Sequence, residues 1–315
     1  MIGGQIIVDH RNNLFSSSDP YDIIEFYSSF ENRDQLIRWM RNRPKGAAHI
    51  HEVEGDKEII VVIPTADFNG EFARNCRENV FKGVHTVFVE SGEILDPYFN
   101  YAHNCNVGIQ KAMKYCPKWI VLSNDDMYKI EDVSVLIFEL SKLDFKRTNC
   151  VFTRPSKYHS VPARFGRPRF TRRFIIAYKR HGNLRDKLKF TREQIKIEKK
   201  FGCREFFSPR TGLTNFIFEP GYNLISFTDF GIFSADYIRK QGCILFDETF
   251  INAQEDHDVA LQLFTNNDPY AVIDFKIGDY VGSTMGTGLA RDLREIAGNA
   301  YLNYKWENKL LMMEE

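Results

Sequence analysis

At 315 residues the chain is long enough for one large or two ordinary domains with a substantial core. Hydrophobic residues at 43% and aromatic residues at 14%, with 27 Phe, exclude a disordered or fibrous chain. Lys plus Arg and Asp plus Glu each total 42, so zero net charge gives no global attraction to nucleic acid or membrane, and electrostatics must act locally.

Residues 1–57 read as a helical N-terminal extension. Ser18-Asp19-Pro20 sets a cap before a proline at the first helical position. Ile23, Ile24, Tyr27 and Phe30, then Leu36, Ile37 and Met40, recur at roughly helical spacing until Pro44 and Gly46. From Glu58 strands and helices alternate. Ile59 to Thr65 is a β-branched strand interrupted by Pro64; Asp67 with Asn69-Gly70 makes a loop before a helix through Phe72, Cys76 and Val80. Val84 to Gly92 is a second strand, ending on Glu90, and Cys105, Ile109, Ala112, Met113 and Cys116 give the next helix an amphipathic stripe. The short apolar run from Lys118 reads as a buried strand. It stops at Asp125 and Asp126, and a helix carrying Val133, Leu136, Ile137 and Leu140 follows.

This alternation predicts right-handed crossovers and a largely parallel α/β sheet. Three strand ends then lie side by side, bearing Thr65 with Asp67, Glu90 with Ser91, and Asn124 with Asp125 and Asp126. Ligands of open α/β sheets bind at such ends, and paired acids there are costly unless a cation or proton neutralises them. A divalent metal holding a phosphate is the first expectation.

Between Arg154 and Arg204 the pattern breaks, with 17 Lys or Arg against three acids. Arg164, Arg167, Arg169, Arg172 and Arg173 alternate with aromatics and could clasp a polyanion or a phosphate-bearing acceptor. The lysines from 187 to 200 share an amphipathic helix with Leu188, Ile195, Ile197 and Phe201, where a charged face is usually just solvated. Asn223 to Phe233 is strand-rich. Gly242 to Phe250 leads into a helix with Glu255, Asp256 and Asp258 in its first turn, where carboxylates suit the positive end of the dipole. Tyr270 to Phe275 is a late strand, Gly278 to Gly288 a flexible loop, and Arg291 to Lys309 a polar C-terminal helix. The six cysteines are scattered without C-x-x-C or zinc spacing, and read as free thiols. No signal-peptide pattern and no membrane-length apolar run is present, so a soluble cytoplasmic chain, at most peripheral to a membrane, is expected.

Val62-Ile-Pro-Thr65, Asn104-Cys-Asn-Val-Gly108, Leu122-Ser-Asn-Asp-Asp126 and Phe246-Asp-Glu248 followed by Glu255-Asp256 occur in an order that resembles the inverting family 2 glycosyltransferases of the GT-A fold. The resemblance covers roughly residues 58–285, interrupted by the basic segment. It implies a mixed, mostly parallel sheet flanked by helices in a domain over 58–288, with a basic insertion at about 154–205 and a C-terminal helix over 289–315. It further implies a sugar nucleotide of UDP or GDP type across the first strand ends, with Mn²⁺ or Mg²⁺ bridging the diphosphate to Asp126. Asp125 would contact ribose or sugar and flank the metal, Thr65, Asp67, Glu90 and Asn104 would line the nucleotide, and Asp256, supported by Glu255, would be the base acting on a glycan or other hydroxyl acceptor. From the residues alone, Asp67 could simply cap its loop, Glu90 be solvated, and Glu255, Asp256 and Asp258 be helix-start acids. Many relatives place a histidine on the late loop, whereas Gly278-Asp-Tyr-Val-Gly-Ser-Thr284 has none. Asp279, His103 and His257 are the substitutes to weigh. Two other readings compete: a nucleotidyltransferase using the same acids, which would want a Gly-rich basic loop where Pro64 to Gly70 has neither Lys nor Arg, and a non-enzymatic module binding polyanions through the strip.

Overall fold

The computed structural model describes residues 10–92, 96–153, 164–166, 184–203, 205–207, 230–266, 268–280 and 288–312. Three helices lead: α1 (10–16), α2 (Pro20–Ser28) and α3 (Arg33–Asn42). Asp19 caps α2 by accepting from the Tyr21 N–H, with Pro20 at the first position, as its sequence signature predicts. Contrary to the expectation of a helical extension through residue 57, β1 (Ala48–Val53) belongs to the sheet, paired antiparallel to β3 (Val84–Ser91). Its alternation of His49, His51 and Val53 with Ala48, Ile50 and Glu52 suits a half-covered edge strand.

The remaining strands of the main sheet are β2 (Asp56–Thr65), β4 (Trp119–Ser123), β6 (Cys150–Thr153), β9 (Phe230–Ser234) and β10 (Tyr270–Ile273), in the order β1-β3-β2-β4-β9-β6-β10. Pairing is parallel at β3/β2, β2/β4 and β6/β10 and antiparallel elsewhere, so five of the seven strands run one way and β1 and β9 oppose them. This is a mixed, mostly parallel seven-stranded α/β sheet flanked by helices, compatible with a Rossmann-like fold.

Period-two alternation sends the strand side chains into two cores. Ile60, Val62, Val87, Val89, Ile120 and Leu122 face one layer, containing α2, α3, α5 (Tyr101–Ala112), α7 (Leu184–Lys200), α9 (Glu255–Thr265) and α10 (Leu289–Met312). Ile59, Val61, Ile63, Phe88, Trp119 and Val121 face the other, covered by α4 (Glu71–Asn75), the π turn at Cys76–Val80 and α6 (Val133–Ser141). The short helix α8 (Ala235–Lys240) follows β9. Two ribbons complete the description: β5 (Met127–Lys129) with β11 (Ile277–Asp279), and β7 (Arg164–Gly166) with β8 (Glu205–Phe207).

Three local expectations change. Cys116 lies beyond α5, exposed and in the left-handed region at φ 53°, so the buried stripe of that helix ends at Ala112. The loop expected from Gly278 begins instead as β11. The C-terminal helix is amphipathic rather than polar, burying Leu293, Ile296, Ala297, Ala300 and Trp306, and the Tyr27 hydroxyl anchors it by donating to the Leu293 carbonyl at 2.8 Å. Among the described residues, no helix is long and apolar enough to cross a membrane.

Candidate active site

The β2/β4 register sets Val62 opposite Leu122. Three residues further along each strand, Thr65 and Asp125 come abreast, and the Thr65 hydroxyl donates to Asp125 Oδ2 at 2.7 Å. Asp125 and Asp126 are 7% and 6% exposed. The chain then turns into β5, whose pairing with β11 sets Asp279 opposite Met127, and the Tyr280 N–H donates to the Asp126 carbonyl at 2.9 Å. Cys76 Sγ donates to the Asp125 carbonyl at 3.1 Å. Burial first, and the charges of Asp125 and Asp126 after it, push the Cys76 thiol up to about 12.

The other two strand ends are partly self-satisfied. Asp67 Oδ1 accepts from the Asn69 N–H at 2.8 Å, so this aspartate caps its own loop. Glu90 is engaged rather than solvated: one oxygen accepts from the Phe68 N–H at 2.9 Å and the other meets His51 Nε2 at 2.8 Å. Burial opposes its ionisation, but the Phe68 N–H and His51 outweigh burial and hold the carboxyl below its ordinary range. His51 also stacks on Phe68 at 4.4 Å, and Arg77 covers the same ring at 4.7 Å. His51 was not singled out from the sequence; the alternating stretch Ala48 to Val53 was the signal that could have found it.

Helix α5 joins these ends to the second acidic pair. Gly108 lets it sit directly on the sheet, since a Cβ there would lie 2.3 Å from a Val62 methyl and 2.9 Å from a Val89 methyl. Asn104, expected to line a nucleotide, is buried and its amide reaches the Val89 carbonyl at 3.5 Å. Asn106 accepts from the Leu245 and Phe246 N–H groups at 3.1 Å and donates to the Phe246 carbonyl at 2.9 Å and Glu248 Oε1 at 3.1 Å. Asn100 donates to the Glu248 and Phe250 carbonyls, and Asn252 Oδ1 accepts from the Tyr101 N–H. Together these asparagines clasp the 245–252 segment to the start of α5, and so fix where α9 begins. Asn100 and Asn252 have no sequence signature that predicts this.

Glu255 and Asp256 open α9 at 7% and 6% exposure. Among the described residues, Glu255 Oε2 and Asp256 Oδ2 are buried without a hydrogen bond. Burial, then repulsion from Asp256, pushes the Glu255 carboxyl up to about 8. The Glu255 charge also reaches the Cys105 thiol on α5, which burial in the first place raises. Since Cys105 follows the Asn104 that holds Val89, the Glu255-Asp256 pair lies at the end of the sheet where Thr65 and Asp125 meet. Asp258 is different. It binds Lys305 Nζ at 2.8 Å and Trp306 Nε1 at 2.7 Å, and Lys305 continues to Asp247 at 2.9 Å, so Asp258 and Asp247 fasten α9 to α10.

Among the described residues, no group of three or more His, Cys, Asp or Glu side chains is placed to hold a metal. His103 Nδ1 instead meets Glu248 Oε2 at 3.0 Å, and His257 lies between Gln254 and Asp256. In the basic segment, Arg167, Arg169, Arg172 and Arg173 lie outside the described residues, and Arg164 falls in β7. The expected lysine-rich helix is present as α7, burying Phe190 and Ile197 while Lys196, Lys199 and Lys200 face solvent. A scan against protein-family models and a search of curated proteins both found no match to this chain.

Proposed function

We propose that the chain is an inverting glycosyltransferase of GT-A type, moving a sugar from a nucleotide-diphosphate donor to a hydroxyl acceptor. The observation that supports this most is the presence of two buried acidic pairs of different setting, one beyond the end of β4 and one opening α9 beside α5. Asp125-Asp126 stands at a strand end beside Thr65, and Glu255-Asp256 at a helix start held by the α5 clasp.

The first pair fits a hard divalent cation in its donor chemistry, because both groups are carboxylates and both are mostly buried. Asp126 would hold Mn²⁺ or Mg²⁺, with donor oxygens and water completing a shell for which the described protein residues offer no three-sided cluster. Such a cation supplies charge neutralisation to the departing diphosphate. Thr65 fixes the Asp125 carboxylate for hydrogen bonds to ribose or sugar hydroxyls. Glu90 and Asp67 would read the base, Glu90 already steered by His51. Asp256 takes the proton of the acceptor hydroxyl as its oxygen bonds to the anomeric carbon and the bond to the diphosphate breaks. Glu255, held protonated near neutral pH by burial, orients the acceptor beside it.

Release of nucleoside diphosphate from a UDP- or GDP-sugar in the presence of Mn²⁺ tests this reading, whereas pyrophosphate release from a nucleoside triphosphate would replace it with a nucleotidyltransferase. Asp256→Asn should lower turnover by about 10² to 10⁴-fold with folding intact. Asp126→Ala should remove metal-dependent stabilisation by the diphosphate. Full turnover in the Asp256→Asn protein would dismiss that residue as the base.

A further inference from the structure

Four side chains form a row across the strands, from the sheet edge inward. His51 lies on the edge strand β1 and binds Glu90 of β3. Glu90 is paired in register with Thr65 of β2, and the Thr65 hydroxyl binds Asp125 just beyond β4. Neighbouring strands lie about 4.8 Å apart, so the three steps from β1 to β4 span about 14 Å at the backbone. The His51 and Asp125 side chains lean toward each other across that span, onto Glu90 and Thr65. A distance of this order suits one nucleoside diphosphate, its base at the sheet edge and its phosphates toward Asp125 and Asp126.

At the edge end of the row the side chains are stacked. The His51 imidazole lies on Phe68 with centroids 4.4 Å apart and planes within 5° of parallel. Arg77 Cζ lies 4.7 Å from the centre of the Phe68 ring, and Phe88 meets that ring edge-on at 5.3 Å. Phe68 is pinned through its backbone, the N–H donating to Glu90 Oε1 at 2.9 Å and the carbonyl accepting from Arg77. The other Glu90 oxygen meets the Nε2 edge of His51 at 2.8 Å. Burial opposes ionisation of Glu90, but the Phe68 N–H and His51 outweigh it. An ionised carboxylate only accepts, so the ring presents Nε2–H to it.

His51 is thus held by one edge and one face. Its side chain is still 35% exposed, and among the described residues Phe68 is the only ring packed on it, which leaves the second face for a further planar group. We propose that His51 is the stacking surface for the nucleobase of the donor, extending the stack built on Phe68 by one more ring; this rests on the transferase reading above. The imidazole is ordered before the base arrives, so little of the stacking energy is lost in fixing it. Every base has a π face to set against it. Glu90 keeps unused lone pairs on both oxygens for an N–H of the stacked base.

The test uses the full chain with Mn²⁺, and UDP, GDP and inorganic pyrophosphate as probes. His51→Ala should weaken nucleoside diphosphate binding by about 5- to 100-fold and leave pyrophosphate binding within about twofold. His51→Gln retains a donor for Glu90 but no ring, and should bind as weakly as His51→Ala. His51→Phe retains a ring but no donor, and should stay within about threefold of wild type. The carbon-bound ring protons of His51 should move upfield in NMR spectra when nucleoside diphosphate is added, through the ring current of the base, and stay in place with pyrophosphate. Near-wild-type binding by His51→Gln with weak binding by His51→Phe would mean that His51 acts only through Glu90, and overturns the stacking role. Unmoved His51 protons at saturating nucleotide overturn it too, as does a His51→Ala variant that raises the acceptor KM while donor affinity is unchanged. A wild type that binds nucleoside diphosphate and transfers sugar, matched in both by His51→Ala, removes the stacking role alone. A wild type that does neither removes the transferase reading and the stacking role with it.

Discussion

The two acidic pairs reach the same end of the molecule by different physics. Asp125 and Asp126 are placed by backbone: a fully buried strand, a parallel register that brings Thr65 abreast, and a ribbon closed by β11. Glu255 and Asp256 are placed by side chains, chiefly the Asn100, Asn106 and Asn252 hydrogen bonds that tie the 245–252 segment to α5. A site held by sheet register is rigid because moving it breaks many cooperative bonds. One held by a few buried amides is adjustable, and its parts can be removed singly. Under the proposed transferase function, the difference suits a division of labour in which one pair would grip the donor and the other would take the acceptor's proton.

The largest expected effect concerns the charge state of the clasped pair. Glu255 titrates at about 8 in the folded chain against an ordinary 4.5, so between those values the native state holds a proton that the unfolded state has lost. Stability from this group therefore declines as pH rises from about 4.5 to about 8, by roughly 3 to 5 kcal/mol at full desolvation. Glu255→Gln should abolish that slope, becoming progressively more stable than wild type toward pH 8 in urea titrations. Parallel pH curves for the two proteins would break the contrast between the pairs.

Removing the clasp comes next. Asn106→Leu conserves volume but leaves the buried Leu245 and Phe246 N–H groups and the Phe246 carbonyl without the partner they have now. Unmet buried groups of this kind cost about 1 to 3 kcal/mol each before relaxation, and a total loss of about 2 to 4 kcal/mol is expected. Turnover should fall further than nucleoside diphosphate affinity, because the variant loosens the Asp256 side and spares the Asp126 side. An equal fall in both would show that the two pairs are not independently held.

The same contrast explains what could be read from the sequence. Strands β2, β3, β4 and β10 were legible as short apolar runs and β9 only as part of a strand-rich stretch, while β6 was not read; the Asp125-Asp126 pair was legible because it terminates one of the runs. The α5 stripe was legible to Ala112, where a left-handed Cys116 took over beyond the helix. Strand β1 was missed because His49 and His51 dilute its apolar pattern, although its alternation was present. The clasp was illegible for a stronger reason: Asn106 meets Leu245 across 139 positions, and no local propensity encodes a hydrogen bond at that separation. Glu255 and Asp256 could be noticed as a motif, but their burial could not, since an acidic first turn looks the same whether solvated or enclosed. The Glu90 and His51 pairing likewise required β1 to be placed first.

The smallest effect sharpens the comparison from the strand side. Thr65→Val keeps the branched shape favoured in β2 and deletes only the hydroxyl that donates to Asp125 Oδ2. The loss of one buried bond to a charged acceptor should cost about 1.5 to 3 kcal/mol if Asp125 stays ionised, and less if it protonates or takes up water. Register is untouched, because backbone pairing between β2 and β4 continues from Ile59 to Val62 without the hydroxyl. Asp125 should therefore keep its place but lose its orientation, so nucleotide-sugar affinity is expected to fall several-fold while turnover at saturating donor is nearly preserved. Stability, affinity and turnover measured on the one variant separate these outcomes. A loss of turnover comparable to that of Asp256→Asn would mean that Thr65 and Asp125 act on the reacting atoms themselves, and the donor and acceptor halves would have to be redrawn as a single four-carboxylate centre.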